Sequence, residues 1–127
     1  YYSDKEKLQN SRVIIINKIG ILANLYKYAN AAYVGAGFGA GVHSVWEPAI
    51  YENMISFGPN FQIVDMAVSL VIDKLATVIN TSDDFVHFLT LLDNPSELKI
   101  IGENMVKFLS KQKLASAAII EAIFTHD

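Results

Sequence analysis

Short apolar runs alternate along this chain with longer segments in which apolar residues recur at helical spacing. Residues 13–16 form an unbroken β-branched run, a pattern typical of a strand buried on both faces of a parallel sheet. Runs of similar length occupy residues 31–34, 54–57 and 76–79. Because helical segments separate these runs, we predict one α/β domain over residues 1–127, with parallel strands and helices on both faces.

The helices between the strands are predicted from apolar spacing and from capping residues. Helical spacing covers residues 21–29 and, after a glycine-rich stretch, about residues 43–52. Asn60 is a suitable N-cap for the helix that follows. The apolar stripe of that helix consists of Ile63, Met66, Ala67, Leu70 and Val71.

Capping signals also mark the last two helices. Thr81 or Ser82 predicts the start of one of them. Asn94, followed by Pro95 and Glu97, combines a cap, a proline at the first helical position and a capping-box glutamate. The final part of the chain is therefore predicted to be helical.

Composition narrows the class of protein. With 127 residues, 52% of them hydrophobic and 18% charged, the chain has enough apolar material for one globular core. The net charge of -3 and the scattered basic residues argue against a nucleic-acid binder. The absence of cysteine excludes disulfides, thiol nucleophiles and zinc–thiolate sites. The chain begins with a tyrosine in a polar stretch, so we expect it to be an internal piece of a longer protein.

A glycine-rich segment follows the predicted strand over residues 31–34. Gly35, Gly37, Gly39 and Gly41 occupy alternate positions, so the backbone can approach a ligand closely and offer its N–H groups. In open α/β sheets ligands bind beyond the carboxyl ends of the strands, and a helix start at this point favours an anion. The alternative is a loop that needs positive φ angles. Four glycines within seven residues favour phosphate binding.

Residues 35–40 also match the dinucleotide fingerprint G-x-G-x-x-G/A. Binding of NAD through that fingerprint requires an acidic residue at the end of the following strand, where it holds the ribose. Residues 56–59 read Ser-Phe-Gly-Pro and contain no carboxylate. The sequence therefore disfavours NAD or FAD.

Two polar residues follow the glycines on the predicted helix. His43 lies in its first turn, where an imidazole can donate to a phosphate or sugar oxygen. Glu47 lies one turn further on the same face and can accept hydrogen bonds from the two hydroxyls of a ribose. The alternatives are a capping or packing histidine and an ordinary surface glutamate. Apolar neighbours flank Glu47, so its carboxylate needs a partner, which favours a ligand site.

Other residues give weaker indications of chemistry. His87 and His126 have no metal-ligand companions at useful spacing, so surface or core roles are favoured and no metal or cofactor is expected. Trp46, Tyr26 and Tyr28 are interpreted as core residues.

Three segments carry a family resemblance. Residues 34–51, VGAGFGAGVHSVWEPAIY, resemble the signature of 3-deoxy-D-manno-octulosonic acid (Kdo) transferases, which reads roughly GGGFGxGIHNxLEPAxYG. Residues 57–61, FGPNF, resemble the FGPNY that follows it, and residues 13–29 resemble the upstream VLIIDNIGxLxxLYxYAD. The match extends from about residue 13 to about residue 109.

The resemblance implies a glycosyltransferase of the GT-B type, with two Rossmann-like domains that face each other across a cleft. In that family the C-terminal domain holds the donor, CMP-Kdo. The N-terminal domain holds the acceptor, a lipid A precursor, and carries the catalytic base. This chain would be a truncated C-terminal domain with no catalytic residue of its own. The full-length protein would act in lipopolysaccharide biosynthesis at the cytoplasmic face of the bacterial inner membrane.

Carried onto this chain, the resemblance implies a set of donor contacts. The phosphate loop would be lined by Gly35, Gly37, Phe38 and Gly39. His43 and Ser44 would lie beside the phosphate or the Kdo carboxylate, and Glu47 would hold the ribose. Further donor contacts are implied at Gly20, Gly58, Pro59 and Asn60.

The chain departs from the family pattern at four positions in or near the implied donor site. Ala36 stands where the family has glycine, and Ser44 stands where it has asparagine, which removes an amide donor. Asn17 and Lys18 stand where it has aspartate and asparagine. The alternatives are the donor domain of another GT-B glycosyltransferase, a nucleotide-sugar epimerase, or a non-catalytic Rossmann-like module.

The leading strands of the family's donor domain have no counterpart here. A sheet edge left without its neighbour is normally covered, often by a second copy of the same chain. We therefore expect homo-oligomers to form through an exposed sheet edge.

Overall fold

The sheet contains three short parallel strands. The computed structural model describes residues 11–124, with side chains described through residue 112. Strands β1 (Ala31–Val34), β2 (Met54–Phe57) and β3 (Ala76–Val78) pair in the order β1-β2-β3. Their last residues lie in register, because Val34 pairs with Phe57 and Phe57 pairs with Val78. The predictions for these three strands are confirmed, and their carboxyl ends meet at one edge of the sheet.

Five α-helices accompany the strands in the described part of the chain. Their bounds are α1 (Leu22–Leu25), α2 (Trp46–Ile50), α3 (Asp65–Ile72), α4 (Ser82–Leu92) and α5 (Pro95–Phe124). A 3-10 turn over Tyr26–Tyr28 continues α1. Among the described residues, no helix combines the length and the apolar character that a bilayer span requires.

Both faces of the sheet are covered by helices. On one face Ile55 and Phe57 pack against Leu70 of α3 and against Met105 and Phe108 of α5. On the other face a smaller cluster joins the strands to α4 and the start of α5. Its buried members are Met54, Ile79 and Phe88. All four residues of β2 are buried, as expected for the central strand of a parallel sheet.

The capping residues start α4 and α5 as predicted. The Thr81 hydroxyl accepts from the backbone N–H of Asp84 at 3.2 Å, and the Asp84 carboxylate accepts from the backbone N–H of Thr81 at 2.9 Å. This reciprocal pair is a capping box. The Asn94 side chain accepts from the backbone N–H of Ser96 at 3.1 Å and so caps α5.

The strand predicted over residues 13–16 is wrong. These residues have no regular secondary structure, and Val13 and Ile15 are 79% and 55% exposed. A strand buried on both faces needs a neighbouring strand and covering helices, and the described sheet provides neither for this segment.

Within the described sheet β1 also has β2 as its sole neighbour. Self-association through an exposed sheet edge therefore stays a prediction.

Two predicted helix starts are also wrong. The helix expected from residue 43 begins at Trp46, because the backbone N–H of His43 donates to the Gly35 carbonyl and keeps that residue in the loop. Asn60 does not cap α3, which begins at Asp65 without a side-chain cap. Its amide instead donates to the Gly39 carbonyl at 3.0 Å. The first error arises from a bond within the loop after β1, and the second from a bond between that loop and the loop after β2.

These two loops touch through their backbones at Gly37 and Gly58. A Cβ on Gly37 would lie 2.5 Å from the Gly58 nitrogen and 2.8 Å from its Cα. A Cβ on Gly58 would lie 2.6 Å from the Gly37 carbonyl carbon. Real Cβ atoms do not approach backbone atoms this closely. Glycine is therefore required at both positions for the two loops to touch.

We therefore expect Gly37→Ala to lower the free energy of unfolding by about 1–3 kcal/mol, because the added methyl group forces the two loops apart. Gly39→Ala is the matched control, since its nearest Cβ neighbour would be 3.8 Å away. The control should stay within about 0.5 kcal/mol of the unchanged chain. Urea denaturation measures both. Equal losses in the two variants would contradict the close approach.

Candidate functional site

A cleft of about 530 Å³ runs along the whole of β1 and continues to Gly35 and the loop that follows the strand. Its volume lies in the range of small-molecule sites. The lining is mostly apolar and comes from α1, the 3-10 turn, β1, the loop before α2 and the first turn of α2. Five of the lining residues have polar side chains: Tyr26, Tyr33, His43, Ser44 and Glu47. An apolar cleft with a few convergent polar groups is the usual form of a ligand site.

The carboxylate of Glu47 is held by its neighbour in the loop. The Ser44 hydroxyl donates to Glu47 Oε2 at 2.5 Å and accepts from the backbone N–H of Trp46 at 3.4 Å. Glu47 lies in the first turn of α2, where a negative charge is favourable. The sequence-based expectation that this acid needs a partner is confirmed, and the partner is a hydroxyl. A carboxylate has about four acceptor positions, so these bonds leave capacity for a ligand.

The pKa of Glu47 lies below its ordinary value. The hydrogen bond from Ser44 is the main cause, and a bond from the backbone N–H of Glu47 itself adds to it. Burial acts in the opposite direction and is outweighed. Glu47 is therefore ionised at neutral pH and presents a negative charge to the cleft.

Tyr26 faces the same charge. Burial raises the pKa of its phenol above 10.0, and the negative charge of Glu47 raises it further. The side chain is half-buried and lines the cleft. Its phenol is therefore a neutral donor at any physiological pH.

Backbone hydrogen bonds fix the glycine-rich loop. The N–H groups of Gly39 and Gly41 donate to the Ala36 carbonyl at 2.9 and 3.2 Å. Asn60 joins this loop to the next one, because its N–H donates to Gly37 and its carbonyl accepts from Val42. These amides are used within the protein. The loop therefore offers a ligand fewer N–H groups than its glycine content indicates.

Ala36 stands in a backbone conformation that favours glycine. Its φ is 67°, in the left-handed region, which costs an L-residue about 1–2 kcal/mol. The glycine that the resembled family has at this position fits the geometry without that cost. The departure at Ala36 therefore carries a local strain.

The structure brings four of the predicted contact residues into the cleft: Gly35, His43, Ser44 and Glu47. Phe38 lies elsewhere. It lines a separate pocket of about 370 Å³, where Tyr33 and Phe85 are its aromatic neighbours. Tyr33 lines both cavities and so separates them.

The other predicted contacts lie outside the cleft. Gly37 and Gly58 contact each other, and Asn60 braces the loop. These three residues shape the site through packing and hydrogen bonds. Gly39, Gly20 and Pro59 line neither the cleft nor the Phe38 pocket.

The three aromatic residues predicted to be core lie at the cleft or on the surface. Tyr26 lines the cleft, Tyr28 is 78% exposed and Trp46 is 46% exposed, so the interpretation of all three as core is wrong. Helical spacing predicted a buried stripe, but the helix gives way to a 3-10 turn at Tyr26 and the spacing no longer applies. The phenol of Tyr26 was the available signal, because a tyrosine carries a polar group that seeks a partner.

The remaining histidines fall outside the cleft or outside the described residues. His87 lies exposed on α4, so it has the first of the two roles predicted for it, surface or core. The prediction for His126 lies outside the described residues. Within residues 11–124, no group of three His, Cys, Asp or Glu side chains is arranged to hold a metal ion.

The chain is similar in sequence to proteins of known family. Over 105 residues the chain is 29% identical to a 3-deoxy-D-manno-octulosonic acid transferase of Rickettsia felis, an alignment that covers 80% of this chain and 23% of that protein. The chain is related to the 3-deoxy-D-manno-octulosonic acid transferases. The resemblance inferred from the sequence is confirmed. No protein-family model matches the chain.

A second relative is named for two activities. The chain is 26% identical over 125 residues to a bifunctional glycosyltransferase/methyltransferase of Fusobacterium nucleatum subsp. nucleatum. This alignment covers 94% of the chain and 19% of that protein. The chain thus spans about a quarter or less of the length of these relatives.

A solved structure has the same fold. It is the C-terminal CMP-Kdo binding domain of WaaA from Acinetobacter baumannii, which matches with a TM-score of 0.66 at 18% identity. The match covers 74% of this chain and 51% of that one. It confirms the α/β architecture of parallel strands flanked by helices.

The hydrogen bond from Ser44 predicts how Glu47 titrates. Because the bond lowers the pKa of the folded carboxyl, its contribution to stability is complete above the unfolded pKa and is lost as the pH falls through the folded pKa. We expect Ser44→Ala to raise the pKa of Glu47 toward its ordinary 4.5, measured by carbon NMR of the side-chain carboxyl. Ser44→Thr keeps the hydroxyl and should keep the lowered pKa. An unchanged pKa in Ser44→Ala would remove this bond as the cause.

Proposed function

We propose that this chain is a truncated nucleotide-sugar-binding domain, and that its cleft takes the nucleotide of CMP-Kdo. The observation that carries the proposal is the meeting of Gly35, His43, Ser44 and Glu47 in one cleft, which runs along β1 and extends past the carboxyl end of that strand. The relationship to Kdo transferases and the name of the matching structure, a CMP-Kdo binding domain, support this choice of ligand. In the whole protein the cleft would serve a glycosyltransferase that transfers Kdo to a lipid A precursor.

Glu47 is the residue we assign to the ribose. An ionised carboxylate accepts hydrogen bonds from both hydroxyls of a vicinal diol, and charge-assisted bonds of this kind are about twice as strong as neutral ones. Ser44 holds the carboxylate in place at 2.5 Å. The negative charge that suits a ribose repels a phosphate, so the phosphate would lie away from Glu47, nearer Gly35 and His43.

His43 is the residue we assign to the anionic part of the donor. Its side chain is exposed at the mouth of the cleft, while its backbone N–H is held by the Gly35 carbonyl at 3.3 Å. Fixing the backbone leaves the imidazole free to donate to a phosphate or carboxylate oxygen. Since α2 has five residues, the side chain contributes more to anion binding than the helix end does.

The full-length protein would place the acceptor on a second domain. The acceptor hydroxyl must be held against the anomeric carbon of the sugar while a base removes its proton. In this chain Glu47 is assigned to the ribose, so the base would come from the second domain. The location of the full-length enzyme would be the cytoplasmic face of the bacterial inner membrane, where lipid A precursors are available.

The choice of ligand is tested by titration calorimetry with CMP, UMP and NAD. We expect CMP to bind and NAD not to bind, because no acidic residue follows β2 at residues 58–60. Glu47→Ala should weaken CMP binding about tenfold or more through loss of charge-assisted hydrogen bonds. Glu52→Ala is the control, since Glu52 lies five residues on and does not line the cleft. Tighter binding of NAD than of CMP would overturn the assignment.

The isolated chain is expected to have no transferase activity, because the acceptor surface and the base belong to the other domain. The chain is incubated with CMP-Kdo, generated in place, and a lipid A precursor, and mass spectrometry detects the Kdo-bearing product. The full-length protein is the positive control. Product above background from the chain alone would mean that the catalytic residues have been misplaced.

A further inference from the structure

We propose that Tyr26 is a direct contact of the bound nucleoside and that Asn53 is the positioning residue that holds Tyr26 at the cleft. This inference deepens the proposed function and rests on it. The family signature recognised in the sequence assigns neither residue to the donor. Both assignments come from the position of the 3-10 turn over Tyr26–Tyr28.

The Tyr26 phenol has the properties of a ligand donor. It lies in the same cleft as Glu47, near enough for the carboxylate charge to act on it. In the described part of the chain its hydroxyl makes no hydrogen bond, although the ring is half-buried. A half-buried donor without a protein partner is satisfied when a ligand or water supplies an acceptor.

Tyr26 and Glu47 complement each other chemically. The carboxylate accepts hydrogen bonds, and the phenol donates one while remaining neutral. A ribose offers hydroxyls that donate to the carboxylate, and a nucleoside also offers oxygen atoms that accept. Together the two side chains recognise a ligand that carries donors and acceptors close together, which fits a nucleoside better than a simple anion.

Asn53 fixes the turn that carries Tyr26. Its side-chain amide donates to the carbonyls of Tyr26 at 3.1 Å and Ala29 at 2.8 Å, and also approaches the Tyr51 carbonyl at 3.2 Å. The residue is 1% exposed. One buried amide thus joins the two ends of the 3-10 turn to the turn between α2 and β2.

The geometry connects Asn53 to both walls of the cleft. The 3-10 turn over Tyr26–Tyr28 provides one wall, and α2, which precedes Asn53 in the chain, carries Glu47 on the other. Loss of the amide would leave the carbonyls of Tyr26 and Ala29 without this donor and release the turn. The separation of Tyr26 from Glu47 would then no longer be set by the protein.

The test compares two tyrosines in the same turn. Tyr26→Phe removes one hydroxyl and should weaken CMP binding about two- to tenfold, the usual effect of one lost hydrogen bond. Tyr28→Phe is the matched control, because that side chain is 78% exposed and does not line the cleft. Both variants are conservative and should fold, which thermal denaturation verifies. Calorimetry with CMP is carried out on the full chain.

The positioning role is tested by combining substitutions. Asn53→Ala should weaken CMP binding to a similar extent, and adding Tyr26→Phe should weaken it little further, because the hydroxyl is already displaced. In Asn53→Ala the pKa of the Tyr26 phenol should also move toward its ordinary 10.0. Ser56→Ala is the control for a buried polar group in β2 and should leave CMP binding unchanged.

The outcomes separate this inference from the proposed function. If the unchanged chain does not bind CMP, both are overturned. If CMP binds and Glu47→Ala weakens it while Tyr26→Phe does not, the proposed function stands and the Tyr26 contact is overturned. If the effects of Tyr26→Phe and Asn53→Ala on affinity multiply, the positioning role of Asn53 is overturned. The whole inference is supported by two results together. Tyr26→Phe weakens CMP binding while Tyr28→Phe does not, and the double variant Asn53→Ala/Tyr26→Phe binds CMP little more weakly than Asn53→Ala alone.

Discussion

The backbone contact between Gly37 and Gly58 determines the geometry at the carboxyl edge of the sheet. At these two positions the loop after β1 and the loop after β2 approach within a distance that excludes any side chain. Asn60 then joins the same loops by its backbone and its side chain. With the loop after β1 fixed in this way, residues 43 and 44 reach the cleft and α2 begins at Trp46. Glu47 lies in the first turn of that helix and lines the cleft.

The contact between Gly37 and Gly58 gives part of the glycine-rich segment a packing role. A run of alternating glycines is commonly associated with a phosphate, yet Gly37 serves the packing of one loop on another. Several loop amides are bonded within the protein. Recognition of the proposed ligand would therefore depend more on side chains than on backbone N–H groups. Glu47, ionised and held by Ser44, is the clearest of them.

The cleft lies against β1, the edge strand of the described sheet. All four residues of β1 line it, and within the described sheet β1 has a strand on one side. The solved CMP-Kdo binding domain is about twice as long as the part that this chain matches. The walls provided by the 3-10 turn and α2 do not depend on a further strand, because Asn53 and the loop contacts hold them from within the chain. The polar end of the cleft is thus the part that this chain determines by itself.

Local sequence determined the three central strands, the caps of α4 and α5, and the segment that carries the site. Runs of apolar residues, a capping box at Thr81 and a cap at Asn94 act over a few residues, so the sequence alone specifies them. The family signature likewise marked His43, Ser44 and Glu47, which the structure brings into one cleft. These features need no information from distant parts of the chain.

Tertiary structure decided what depends on partners far apart in the sequence. The apolar run at residues 13–16 has strand character, but without a neighbouring strand it stays exposed. Gly37 is 21 residues from Gly58 in the chain, and Tyr26 is 27 residues from the Asn53 amide that holds it. Periodicity describes which face of an element is apolar and does not identify the residue that packs against it. For this reason the position of Tyr26 in the cleft is evident from the folded chain and not from the sequence.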